Sequence, residues 1–127
     1  MKRLLSLCAL VALTGCASIM EYIPSGWDAN QARVITDIQQ QARHMDCKAE
    51  LKPQVDKLAR DVEWFDIYAE TKPTRDIARL TGTITDTVRE LQDRVVKGPV
   101  SLMYCDLKKK IIQQQADILA RSVQGRF

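Results

Sequence analysis

The chain has a single histidine, His44, and only five glycines. A structural zinc site takes four ligands and a catalytic one three plus water. His44 with Asp46 and Cys47 falls short of both sets: there is no second histidine, and the cysteines that could join have another use. His44 therefore reads as a surface residue. No phosphate-binding loop, nucleophile elbow or Cys–His pairing is present either. Asp61, Glu63 and Asp66 crowd one stretch, and paired carboxylates can do acid–base work, but with Lys57 and Arg60 beside them they read as a solvated charged face. These shortages argue against an enzyme and imply no cofactor and no small-molecule substrate. After residue 16 no apolar run approaches the ~20 residues needed to span a bilayer. The formal net charge of +3 falls to +1 beyond residue 15, because Lys2 and Arg3 lie before it, so there is no electrostatic case for nucleic acid. Internal repeats and low-complexity segments are also lacking.

What is present begins at the N-terminus. Lys2 and Arg3 form a short basic segment, and Leu4 to Leu13 is apolar or small apart from Ser6 and Cys8. That is the length of a signal-peptide core and too short for a membrane span. It ends in Leu13-Thr14-Gly15-Cys16, which resembles a bacterial lipobox. The resemblance implies a diacylglyceryl group on the Cys16 sulfur, cleavage after Gly15 and acylation of the new N-terminus. Two or more acyl chains hold a protein on its membrane, whereas one binds only marginally. Ala17 follows the lipidated position. By the Gram-negative sorting rule, in which Asp there retains a lipoprotein in the inner membrane, it implies the periplasmic face of the outer membrane. The expected organisation is a signal peptide at 1–15, a lipidated tether at 16–27 and a helical domain at 28–127.

Of the four cysteines, Cys8 leaves with the signal and Cys16 takes the lipid. Cys47 and Cys105 remain, and in an oxidising compartment an even pair is expected to be a disulfide. The tether carries Ile19, Met20, Tyr22, Ile23 and Trp27. These residues either pack on the domain or, for Tyr22 and Trp27, sit among lipid headgroups, where amphipathic aromatics are favoured.

Four amphipathic helices follow. The first is expected over about Asp28 to Leu51, capped by Asp28, with Ile35, Ile38, Ala42, Met45 and Ala49 as its apolar stripe. Lys52-Pro53 breaks the chain, and a second helix runs from about Pro53 to Thr71 on Val55, Leu58, Val62, Phe65 and Ala69. After Lys72-Pro73, Thr74 can cap a third helix with Ile77, Leu80, Ile84, Val88, Leu91 and Val95. The Thr-rich stretch around Gly82 could also be a short strand, but helical spacing continues on both sides. As a helix residue, Gly82 either weakens the helix by about 1 kcal/mol relative to Ala or allows a close approach. Gly98-Pro99 is the clearest stop. A fourth helix starts near Ser101, with Leu107, Ile111, Ile118 and Val123 on its core face and Cys105, Ile112 and Leu119 alongside.

Short connections make consecutive helices antiparallel neighbours. The expected fold is an all-α, antiparallel up-down four-helix bundle. Cys47 near the end of the first helix and Cys105 near the start of the fourth then fall at the same end, on helices that meet when the bundle closes. A loop of nearly sixty residues closed by that bond would stabilise the domain by roughly 4 kcal/mol.

A binding surface is expected at Trp64 or Phe65, whichever is exposed, with Tyr68. Adjacent residues point about 100° apart on a helix, and an exposed aromatic is a usual interface anchor. Lys108-Lys109-Lys110 is either a solvated face or a contact for an anionic lipid or acidic partner. Ile23-Pro24-Ser25-Gly26-Trp27-Asp28, Tyr104-Cys105-Asp106-Leu107-Lys108-Lys109-Lys110 and Gln124-Gly125-Arg126-Phe127 resemble stretches of small helical lipoproteins from bacteria and their viruses. The general plan is similar to that of type II secretion pilotins, of the outer spanins used by phages in lysis, and of superinfection-exclusion lipoproteins. That resemblance implies a non-enzymatic lipoprotein that binds a periplasmic or outer-membrane protein, with a phage lysis or exclusion factor as the alternative.

Overall fold

The computed structural model describes residues 26–72 and 75–125. The leader, the lipobox and the tether up to Ser25 lie outside them, as does Thr74. Four helices follow in order: α1 (Ala29–His44), α2 (Leu51–Glu70), α3 (Asp76–Val96) and α4 (Leu102–Gln124). α1 packs on α2 and α4, and α3 packs on the same two helices, so α1 and α3, like α2 and α4, face each other across the diagonals of the bundle. This is the expected up-down bundle. Among the described residues no helix is long and apolar enough to cross a membrane.

α1 starts where a cap allows it. The Asp28 carboxylate accepts hydrogen bonds from the N–H groups of Asn30 (2.9 Å) and Gln31 (3.0 Å), satisfying two donors that have no partner inside the helix. The helix stops at His44 rather than continuing to Leu51. Beyond it, Asp46 accepts from the N–H of Lys48 (2.9 Å). The Gln54 side chain accepts from the N–H of Asp46 (2.8 Å) and donates to the carbonyls of Asp46 (3.1 Å) and Glu50 (2.7 Å). These side-chain bonds offer the backbone an alternative to the helical ladder. Met45 is still buried, but Ala49, expected on the stripe, is exposed.

α2 begins two residues ahead of Pro53, which sits in the first turn, where its missing N–H costs nothing. Its five expected core residues, Val55, Leu58, Val62, Phe65 and Ala69, are all buried. α3 runs unbroken through Gly82. The hydroxyls of Thr81, Thr85 and Thr87 donate to carbonyls four residues back (2.8–3.0 Å), so the Thr-rich stretch is satisfied as helix. Thr81 and Thr85 take core positions, whereas Leu80, expected inside, is 42% exposed. Gly82 makes no close approach, since a Cβ there would meet nothing within 4 Å. Gly82→Ala is therefore expected to stabilise the domain by about 1 kcal/mol, measured as a rise in the denaturant midpoint at unchanged slope.

Gly98 has φ 142°, a conformation open to glycine and strained for other residues. It turns the chain into Pro99 and the Ser101 cap, whose hydroxyl accepts from the Tyr104 N–H (3.2 Å). α4 is rotated relative to the expected register. Its buried face is Cys105, Ile112, Ala116, Leu119, Ala120 and Val123. Leu107 and Ile118 are 54% and 51% exposed, and Ile111 is half-buried. Both stripes repeat at helical spacing; the inner one carries Cys105, whose disulfide with Cys47 (Cα–Cα 5.8 Å) ties the segment after α1 to the first turn of α4.

Candidate interaction surface

The end of α2 is fastened to the start of α1 around Tyr68. Its hydroxyl donates to the Asp28 carboxylate (3.2 Å) and accepts from the Asn30 amide (3.3 Å) and the Lys72 ammonium (3.3 Å). Lys72 also pairs with Asp28 and lies 4.6 Å from the centre of the Tyr68 ring, within cation–π range. The Lys72 bond holds the Asp28 carboxyl below its ordinary range, and Asp28 in turn raises the Lys72 ammonium. Asp28 thus has two tasks, capping α1 and anchoring Tyr68.

Trp64 lies one turn before Tyr68. The two rings stack with centroids 4.8 Å apart and planes 10° from parallel, an arrangement worth about 0.5–1.5 kcal/mol beyond area burial. One indole face is thereby held while the ring stays 42% exposed, and Ile67, three residues on, is 60% exposed. This is an apolar anchor on a supported ring. Phe65, the other candidate, is fully buried in the core and is excluded as a contact residue. The 100° step between neighbours sends one outward and one inward. Tyr68 is half-buried and supports the site from behind. Ile67 was not singled out from the sequence, although its i,i+3 spacing from Trp64 was a usable signal.

The three lysines do not form one patch. Lys108 pairs with Glu90 (2.6 Å) and lies 5.7 Å from the Tyr104 ring centre. Lys109 donates to the Met45 carbonyl (2.6 Å), closing the chain beyond α1. Only Lys110 is exposed. α4 also lies diagonally across the bundle from α2, so the Trp64 site and the lysine run belong to opposite sides of the domain.

The acidic stretch on α2 is divided as well. Asp61 accepts from Gln41 and pairs with Lys57 (3.1 Å). Burial, with Glu70 adding to it, raises the Asp66 carboxyl. Glu63 lines a shallow groove of about 160 Å³ between α2 and α3, beside Arg60, Arg89 and Gln92. His44 is exposed at the end of α1. Among the described residues, no three of His, Cys, Asp and Glu come together to hold a metal ion. No protein-family model, curated protein or solved structure matches this chain.

Proposed function

We propose that this protein is a lipoprotein of the outer membrane, anchored through Cys16, whose helical domain binds a periplasmic or outer-membrane protein. The address rests on Leu13-Thr14-Gly15-Cys16 behind a basic segment and a short apolar core. The binding role rests on one observation above others: an exposed indole, Trp64, stacked on a Tyr68 that Asp28, Asn30 and Lys72 hold in place. Rigid aromatics lose little entropy on binding and dominate interface energetics. A side chain that costs a soluble domain exposed apolar area, and is braced rather than buried, suits that use.

The experiment has two arms. In a competent Gram-negative host, palmitate should label the wild-type protein, and Cys16→Ser should remove the label and leave precursor or soluble protein. Absence of label on the wild type would overturn the address. Crosslinking in intact cells should then join the protein to a partner, and Trp64→Ala should weaken that capture by about 2 kcal/mol, roughly thirtyfold, with the helical circular-dichroism signal unchanged. Equal capture by wild type and Trp64→Ala would exclude Trp64 as the anchor.

A further inference from the structure

α4 is apolar on two faces. Its inner face fills the bundle core, but its outer face carries Leu107, Ile111, Gln114 and Ile118, with Met103 (82% exposed) before them. The outer faces of α1 and α3 are built instead from residues such as Arg33, Asp37 and Gln40, or Arg79, Thr83 and Asp86. A surface helix with one buried stripe is normally polar opposite it. The outer positions of α4 step by 4, 3 and 4, the 3.5-residue period of a coiled-coil seam. A second helix fits such a seam.

We infer that α4 pairs antiparallel with α4 of a second copy of this chain. The flanking charges choose the occupant and its direction. Lys110 is exposed, and among the described residues it makes no ion pair. Asp117 is half-buried on the same side of the seam, and its bonds from Gln39 (2.6 Å) and Arg43 (3.2 Å) both fall on Oδ1, leaving Oδ2 available. An antiparallel register with Leu107 opposite Ile118 of the second copy brings each Lys110 beside the other copy's Asp117. It places Ile111 opposite Gln114 and both Gln114 amides next to the two-fold axis, where they can hydrogen-bond. A parallel pair would set Lys110 against Gln115 and Asp117 against Ser122, with no charge complement. Four layers of contact lie at the low end of specific interfaces, below about 1,200 Å², so the pair is weak and concentration-dependent. The α4 seam faces away from Trp64, which leaves that site open in the pair. The inference is independent of the lipid reading.

The test uses the full chain purified in detergent, by sedimentation over a concentration series. The wild type should dimerise reversibly. Leu107→Glu and Ile118→Lys, both at exposed positions, should each raise the dissociation constant about tenfold or more, with helicity and Tm retained. Lys110→Asp, which sets two carboxylates together across the pair, should weaken the dimer. Leu107→Cys chains mixed with Ile118→Cys chains should form the mixed disulfide. A wild type that is monomeric at high micromolar concentration overturns the pairing, as does a disulfide between two Leu107→Cys chains in place of the mixed one with Ile118→Cys. A face that is protected only when vesicles are added overturns it in favour of a lipid surface.

Discussion

Replacing Cys47 and Cys105 together by Ser is expected to lower the stability of the domain by about 4 kcal/mol, the chain-entropy value for a bond across this separation of 58 residues. For a domain of this size that corresponds to a fall in Tm of roughly 15–30 °C. The expectation is large because the bond closes the bundle at the seam between its first and last helices, which are farthest apart in sequence. It joins them at the end away from the Tyr68–Asp28 fastening, which ties α1 to α2 at the opposite end. Cys105 is fully buried, so two serines there also add a buried hydroxyl, and the measured loss should not fall below the entropic value. Without reductant, denatured oxidised protein should show no alkylation at either position. Full alkylation of both would mean the bond does not form.

The second large effect contrasts two neighbours. Phe65→Ala should cost about 3–5 kcal/mol, because it removes a large, fully buried side chain and leaves a cavity. Trp64→Ala should cost about 1 kcal/mol, mostly its stacking on Tyr68. Denaturant unfolding of both variants measures the difference directly. Equal losses would mean that α2 is rotated from the register described, and the Trp64 surface would not exist. Trp64→Phe provides a finer check, since it keeps an aromatic ring over Tyr68 and should recover most of the small loss.

The stripes of α1 and α2 were legible because in each helix one apolar stripe keeps a single phase over its length, with Trp64 and Ile67 adding only a short exposed patch on α2. Ile35, Ile38, Ala42, Val55, Leu58, Val62, Phe65 and Ala69 recur with a single helical phase, and all are buried. α4 was not, because it offers two phases. Leu107-Ile111-Ile118 and Cys105-Ile112-Leu119 are both periodic, and local spacing contains no information on which one meets the core. Similarly, the lysine run reads as one patch in sequence, yet successive residues on a helix leave it 100° apart and find Glu90, the Met45 carbonyl and solvent respectively.

By itself, then, the sequence determined the element count, the break at Gly98-Pro99 and the antiparallel order that brings Cys47 to Cys105, whereas the break expected at Lys52-Pro53 falls earlier, at residues 45–50, with Pro53 in the first turn of α2. These depend on local chemistry: proline removes a donor, glycine accepts positive φ, and a short connection forces the next helix back. Only the tertiary structure decided where α1 ends, which face of α4 is inside and whether Trp64 or Phe65 meets solvent. Those outcomes depend on contacts between residues distant in sequence. Gln54 folds over Asp46, Cys105 joins Cys47 on the inner face of α4, and Tyr68 rests on Asp28 and Lys72 while its ring carries Trp64.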